Sequence, residues 1–98
     1  MSREKLPSEA LEEAVKSLPH WSVNDGKLHR EYKFRDFTHA FGFMAAAATV
    51  IEKMDHHPEW FNVYGTVRID LWTHSSNGIT PMDVQLASVL ESLAGRLL

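Results

Sequence analysis

Residues 60–72, WFNVYGTVRIDLW, decide the fold of this chain. After Gly65, apolar and polar side chains alternate, with Val67, Ile69 and Leu71 on one side and polar residues between them. A glycine between two such runs is typical of a turn. Strands with one apolar and one polar side are typical of an antiparallel sheet that is covered by helices on one face. We therefore predict a β-hairpin here, with its apolar side against the core.

A second hairpin is predicted earlier in the chain. Trp21 and Val23 alternate with polar residues before the sequence Asn-Asp-Gly at 24–26, and the alternation resumes over 28–34. Asp-Gly is a common pair in two-residue hairpin turns, which require positive φ angles. Arg30 falls on the apolar side of the second strand. Either this strand is a sheet edge from which Arg30 extends into solvent, or the guanidinium has a buried partner.

Three helices are predicted around these hairpins. Residues 8–18 carry apolar side chains at helical spacing and end at Pro19, which cannot continue a helix. Asp36 is expected to cap a long helix that continues to about Met54. Thr80 is expected to cap the last helix, because a proline follows it and an aspartate stands three residues after it.

The predicted order of elements is α-β-β-α-β-β-α, with no linker, repeat or low-complexity segment. We predict a single α+β domain over residues 1–98, in which helices pack on one face of a four-stranded antiparallel sheet. A chain of 98 residues with 44% hydrophobic residues has enough apolar material for one core. Domains of this size bury a small share of their surface, which favours further stabilisation by a metal or by self-association.

The long predicted helix, Phe37 to Met54, is apolar on more than one side. A sheet can cover only one side, and the small alanines of this helix permit the close approach of another helix. We predict a homo-oligomer, a dimer or a tetramer, formed through this helix; the alternative is that the first helix covers the leftover side. The apolar residues form two stripes: Phe37, Phe41, Met44, Ala48 and Ile51, and Phe43, Ala46, Ala47 and Val50.

Composition excludes several classes of function. The chain has no cysteine, which rules out thiol catalysis and cysteine-ligated zinc. Its net charge is −3 and its lysines and arginines are scattered, so we predict no direct nucleic-acid partner. The longest apolar run, 41–50, is far shorter than the roughly 20 residues of a membrane span. The first residues lack the pattern of a signal peptide, and we expect a soluble, cytoplasmic protein with no membrane partner.

Three histidines are the strongest candidates for chemistry. His56 and His57 precede Pro58, and His74 follows the second predicted hairpin. Imidazole is the side chain whose ordinary pKa is closest to neutral pH, so such a cluster indicates proton transfer or metal binding. Adjacent residues in an extended chain point to opposite sides, so the rings of His56 and His57 are expected to diverge.

Several segments resemble one family. The segments 55–64 (DHHPEWFNVY), 73–74 (TH) and 37–44 (FTHAFGFM), with Asp83 early in the last helix, resemble the pterin-4a-carbinolamine dehydratases. In animals these proteins double as dimerisation cofactors of a homeodomain transcription factor. The likeness spans nearly the whole chain, and the family's fold has the order of elements predicted above. The family forms tetramers through its long helix, which agrees with the apolar segment described above.

The resemblance implies that the chain dehydrates 4a-hydroxytetrahydrobiopterin to quinonoid dihydropterin in the recycling of tetrahydrobiopterin. It implies that His56, His57 and His74 are catalytic and bind the substrate. Expelling hydroxide requires a general acid, and loss of the N5 proton requires a base, so two imidazoles suffice. Pterin is the substrate, and neither a cofactor nor a metal is predicted. The implied pterin-binding residues also include Asp55, Thr73 and Ser75.

The roles within this set are only partly resolved. His56 and His74 are predicted to be the acid and the base, in either order, and His57 is predicted to orient the pterin. Asp83 is expected to cap its helix or to orient a neighbour. Trp72 falls on the polar side of its strand near His74, where it is expected to bind substrate by stacking on a flat heterocycle. It stands where the animal members have a small residue, which leaves the preferred pterin open.

Two other classes of function remain as alternatives. A metal hydrolase would use His56, His74 and Asp55, although these residues lack a recognisable ligand spacing. The other alternative is a non-catalytic module that modulates a partner's oligomerisation through the Phe37 to Met54 helix. In animal members this helix serves the transcriptional role, but nothing in the sequence indicates a transcription-factor partner.

Overall fold

The computed structural model describes residues 2–98. Three helices and four strands confirm the predicted α+β order, with a 3₁₀ turn, His74–Ser76, before the last helix. No helix in the described range is both long and apolar enough to cross a membrane. The elements are α1 (Ser8–Val15), β1 (Ser22–Asn24), β2 (Lys27–Lys33), α2 (Phe37–Met54), β3 (Glu59–Val63), β4 (Thr66–Leu71) and α3 (Pro81–Gly95).

The strands form one antiparallel sheet in the order β1-β2-β4-β3. Leu28 lies opposite Leu71, and Tyr32 lies opposite Val67, and all four side chains are buried on the face that the helices cover. The predicted alternation of β4 is therefore confirmed. It places the polar side chains of the strand on the opposite face of the sheet.

Arg30 lies on the apolar face of β2, opposite Ile69. Beyond His29, β2 pairs with β4 alone, but the Arg30 side chain is only 16% exposed, so the alternative that it extends from a sheet edge into solvent is wrong. Its guanidinium has a partner, since Arg30 Nε donates to Glu91 Oε1 of α3 at 3.3 Å. The guanidinium also lies 4.1 Å from the centre of the Tyr32 ring.

Helix α2 packs one side against the sheet and leaves another exposed. Its buried residues are Ala40, Phe43, Ala47 and Ile51, at the spacing of a single helical face. The predicted stripes were therefore partly wrong, because Ile51 lies on the same side as Phe43 and Ala47. On the outer side Phe37 and Phe41 are 52% and 57% exposed, so α1 does not cover them.

The ends of the elements differ slightly from those predicted. Helix α1 ends at Val15, three residues before the predicted end at Leu18. The chain then forms turns with hydrogen bonds between residues three positions apart, including the bond from the Leu18 amide to the Val15 carbonyl at 3.0 Å. Pro19 has no N–H to donate to the Val15 carbonyl four residues earlier, and that carbonyl accepts from the Leu18 amide instead, which explains the early end.

Two helix ends bring the candidate residues together. Asp55 follows the last residue of α2 and adopts the left-handed conformation, with φ of 52°. This turns the chain so that the His56 amide donates to the carbonyl of Ile51, in the last turn of the helix, at 3.3 Å. At the start of α3, Thr80 and Asp83 form the predicted capping box. Thr73, just after β4, bonds through its amide to the carbonyl of Gly78 at 2.8 Å. The end of α2, the end of β4 and the start of α3 therefore meet at one place.

Candidate active site

A pocket of about 380 Å³ opens where these three ends meet. A groove of about 410 Å³ between α1 and α3 is larger, but its lining contains no imidazole or carboxylate. The first pocket is therefore the better candidate for a site of proton transfer. Arg3, Pro58 and Glu59 also border the first pocket. All of the site residues expected from the sequence border it: Asp55, His56, His57, Trp72, Thr73, His74 and Ser75.

His56 is the buried histidine of the pocket, with only 5% of its surface exposed. Its Nε2 atom lies 2.5 Å from Oδ1 of Asp83, which is fully buried. Since a carboxylate oxygen accepts hydrogen bonds, Nε2 carries the proton in this pair. The other ring nitrogen, Nδ1, lies 3.4 Å from Nη1 of Arg3 and is the nitrogen available to a ligand.

The carboxylate of Asp83 is held on its other oxygen as well. Oδ2 accepts a hydrogen bond from Thr73 Oγ1 at 2.9 Å and from the Thr80 amide at 2.9 Å. The Thr73 and Thr80 hydroxyls are themselves 2.8 Å apart. Asp83 thus caps α3 and orients His56 at the same time, and the sequence had offered these two roles as alternatives. A ligand of His56 would meet an imidazole whose orientation is determined by buried contacts.

His57 and His74 lie on the rim of the pocket, where their side chains are 62% and 67% exposed. The rings of His56 and His57 diverge, as predicted: the ring of His56 lies in the interior, and the ring of His57 extends into solvent. His57 Nε2 lies 3.6 Å from Glu52 Oε1, and His74 Nε2 lies 4.0 Å from Glu59 Oε2. Each of the three histidines therefore has a carboxylate nearby.

Trp72 forms a wall of the pocket beside His74. The centres of the two rings are 4.4 Å apart, and Trp72 Nε1 donates to Glu59 Oε2 at 3.3 Å. Lys27 reaches the same group, with its ammonium 2.8 Å from Glu59 Oε1 and 5.0 Å from the centre of the Trp72 ring. The hydrogen bond from Lys27 lowers the pKa of Glu59, against a smaller opposing effect of desolvation. Glu59 therefore carries a negative charge beside His74 at neutral pH.

The sequence did not point to Arg3 or Glu59 as site residues. Glu59 could have been found from the strand pairing, because it lies opposite Asp70 on the polar face where Trp72 was placed. Arg3 gave no such signal, since it precedes every helix and strand and reaches the pocket only through tertiary contacts.

The ligands that the metal-site alternative requires do not converge. In residues 2–98, no three histidine, aspartate or glutamate side chains converge in a way that suits a metal ion. His56 directs Nε2 at Asp83, away from the set with His74 and Asp55 that this alternative requires.

Comparison with known proteins places the chain among similar sequences. The sequence model of the family described as pterin 4 alpha carbinolamine dehydratase matches residues 4–93. A Solibacter usitatus protein with the provisional name pterin-4-alpha-carbinolamine dehydratase is 56% identical over 90 residues, which cover 92% of this chain and 95% of that protein. A Brucella ovis protein with the same provisional name is 46% identical over 97 residues, covering 97% of this chain and 100% of that protein.

A solved structure has the same fold. The crystal structure of a Brucella melitensis protein, described as a transcriptional coactivator/pterin dehydratase, superposes with a TM-score of 0.90 at 46% identity, over 94% of this chain and 100% of the other. These matches confirm the resemblance, the fold and the class of enzyme expected from the sequence. Because they extend over nearly the whole chain, the protein belongs to the pterin 4 alpha carbinolamine dehydratase family.

Proposed function

We propose that this protein removes water from 4a-hydroxytetrahydrobiopterin to give quinonoid dihydropterin, as a step in the recycling of tetrahydrobiopterin. The observation that carries the proposal is the buried pair of His56 and Asp83 at the base of a pocket of about 380 Å³. Family membership supports the substrate class. The geometry supports acid and base catalysis by histidines.

His56 is the general acid in this proposal. With Nε2 bonded to Asp83, its imidazolium form presents Nδ1–H to the pocket and directs the proton at the C4a hydroxyl. The carboxylate of Asp83 balances the positive charge of that form inside the protein. Thr73 and Thr80 keep the carboxylate in place, so the donor needs no reorganisation when the C–O bond breaks.

His74 is the general base in this proposal. It lies on the rim of the same pocket, where its exposed ring can take the N5 proton and pass it to solvent. The nearby charge of Glu59, 4.0 Å from Nε2, orients the ring and balances its charge after transfer. His57, beside Glu52, orients the pterin from the rim.

The reaction needs no redox cofactor in this proposal, because loss of water leaves the oxidation state of the pterin unchanged, and we propose that histidines act in place of a metal. Two positioned proton transfers are sufficient, and each typically contributes about 10²- to 10⁴-fold to the rate. We propose that the protein acts in the cytoplasm.

Stopped-flow measurement of the carbinolamine absorbance, with substrate generated in situ, tests the proposal. Wild-type protein should accelerate the decay, and His56→Ala and His74→Ala should each lose about 10²-fold or more of kcat. His29→Ala is the matched control, because His29 also pairs with a carboxylate, that of Asp70 at 2.9 Å, but does not border the pocket. Absence of acceleration by folded wild-type protein would reject the enzymatic function.

A second role is favoured by the exposed aromatic residues of α2. Phe37 and Phe41 have ring centres 5.8 Å apart and are both more than half exposed. We propose that this surface joins copies of the chain into a homo-oligomer, a dimer or a tetramer. A transcription-factor partner at the same surface is the alternative, and it is suggested by the description of the Brucella melitensis structure.

A further inference from the structure

Arg3 reaches the pocket from a segment that precedes every helix and strand. Its Nη1 atom lies 3.4 Å from His56 Nδ1, and its Nη2 atom donates to the main-chain oxygen of Asp55 at 3.2 Å. Among the described residues that border the pocket, Arg3 is the only arginine or lysine. The sequence and the family resemblance assigned it no role.

The segment that carries Arg3 is held by contacts at this residue and at the residues that follow it. Ser76 Oγ donates to the Arg3 carbonyl oxygen. The Leu6 amide donates to the Ile79 carbonyl at 2.8 Å. The side chain of Lys5 covers Gly78 so closely that a Cβ atom there would lie 2.7 Å from Lys5 Cε. These contacts with the loop before α3 place Arg3 over the buried histidine.

The contact between Arg3 and His56 is longer than a usual hydrogen bond. The two nitrogens are 3.4 Å apart, whereas N–H donors in proteins are typically about 2.9 to 3.0 Å from their acceptors. Since Asp83 occupies Nε2, Nδ1 is the ring nitrogen of His56 that can reach a substrate. A hydroxyl oxygen that approaches both nitrogens from the pocket would accept one hydrogen bond from Arg3 Nη1 and one from Nδ1–H of the His56 imidazolium, because oxygen has two lone pairs. Both N–H groups would then point at this oxygen and not at each other.

We propose that Arg3 is a catalytic residue that donates a hydrogen bond to the departing C4a oxygen, an inference that rests on the proposed function. The C4a–O bond breaks, and the oxygen keeps the electron pair, takes the proton from His56 Nδ1 and leaves as water. N5 gives its proton to His74, and its electron pair forms the C=N bond. Arg3 keeps its protons throughout and stabilises the negative charge that develops on the oxygen.

Substitution of Arg3 tests this role. Arg3→Met should lower kcat by about 10- to 100-fold and leave KM within about twofold, because the contact strengthens only as the C–O bond breaks. Arg3→Lys should recover part of the loss, since it keeps the charge but not the planar fork. Arg96→Met is the matched control, because it removes an arginine charge at an exposed residue that neither borders the pocket nor holds the segment of Arg3.

A binding measurement separates this role from a structural one. 7,8-Dihydrobiopterin lacks the 4a-hydroxyl, so its Kd, followed by tryptophan fluorescence, should be the same for Arg3→Met and wild type. An Arg3→Met enzyme that turns over like wild type, while His56→Ala is inactive, would overturn the role of Arg3 and leave the proposed function intact. Equal losses of dihydrobiopterin binding and of turnover would also overturn it, since Arg3 would then only shape the pocket. An inactive wild-type protein would overturn both proposals.

Discussion

His56 and Asp83 are 27 positions apart in the chain, yet His56 Nε2 lies 2.5 Å from Asp83 Oδ1 in the interior. The same carboxylate caps α3 through the Thr80 amide. The start of a helix and the orientation of a candidate catalytic group therefore depend on one side chain. A change at Asp83 should affect both stability and catalysis.

Asp83→Asn should lower kcat by about 10²-fold or more, because a neutral amide no longer balances the imidazolium of His56 and can select the wrong ring tautomer. Stopped-flow kinetics on protein shown to be folded by circular dichroism measures the effect. Asp70→Asn is the control, since Asp70 pairs with His29 outside the pocket. A folded Asp83→Asn variant with wild-type kcat would remove Asp83 from the mechanism.

Thr73→Val should destabilise the protein by about 1–3 kcal/mol, because it removes a buried donor to Asp83 and leaves the Thr80 hydroxyl without this partner. Thr73→Ser keeps the hydroxyl and should cost less, about the 0.8 kcal/mol of one buried methyl group. Urea unfolding of the two variants measures the difference. A Thr73→Val variant as stable as wild type, beside a destabilised Thr73→Ser variant, would show that packing of the methyl group, and not the hydrogen bond, determines the stability.

The Glu91 carboxylate should make stability depend on acid pH. It accepts hydrogen bonds from Tyr32 Oη at 2.7 Å and Trp21 Nε1 at 2.8 Å, and it pairs with Arg30. Desolvation alone would raise its pKa, but the hydrogen bonds from Tyr32, Arg30 and Trp21 outweigh this effect, so the pKa of Glu91 is lowered. A lowered pKa in the folded state gives stability that is present above the unfolded pKa and is lost as pH falls through the folded one.

Comparison of wild type with Glu91→Gln measures this contribution. Wild type should be the more stable protein at neutral pH, and its advantage should shrink as the pH falls below about 4.5. Glu12→Gln, at an exposed position of α1, should show little change at either pH. An advantage of wild type that stays constant from pH 7 to pH 3 would mean that the charge of Glu91 contributes nothing.

Phe41→Asp should dissociate the proposed oligomer without unfolding the chain, because the side chain is 57% exposed within one copy. Burying a charge in a helix-to-helix contact is costly, whereas the same charge in solvent is not. Sedimentation velocity measures the assembly state, and Val23→Asp, at an exposed position on β1, is the control. A wild-type protein that sediments as a monomer would contradict the proposed self-association.

Trp72→Ala should raise the KM for the pterin by about tenfold, since stacking of a flat ring on an aromatic side chain is worth about 1–3 kcal/mol. The Trp72 ring lies against His74, so kcat should also fall if the tryptophan holds that histidine in place. Steady-state kinetics separates the two effects. An unchanged KM would limit Trp72 to a role in positioning His74.

Features that depend on neighbouring residues were predicted from the sequence. The Asp25-Gly26 turn has the two positive φ angles that its residues favour, 53° and 75°. Asp36 caps α2 by accepting from the His39 amide at 2.8 Å, as expected from its position. These features follow from local sterics and hydrogen bonding, which the sequence expresses directly.

Features that join distant parts of the chain were predicted incompletely. The predicted stripes of α2 assigned some residues of its buried face to its outer face. A helix that is apolar nearly all round does not show in its sequence which side packs against the sheet. The position of Arg30 on the apolar side was predicted, but its partner Glu91 was not. Which residue of α3 pairs with Arg30 depends on how this helix lies across the sheet. The periodicity of apolar residues in the sequence does not show that orientation.

The sequence by itself determined the order of the helices and strands, the turns and caps between them, and the residue types available for proton transfer. Only the tertiary structure decided that His56 is buried against Asp83, that His57 and His74 remain on the rim, and that Arg3 lies over Nδ1 of His56. The physical reason is one of range: backbone conformation follows from interactions within a few residues, whereas burial and the partners of each side chain follow from how the complete elements pack together.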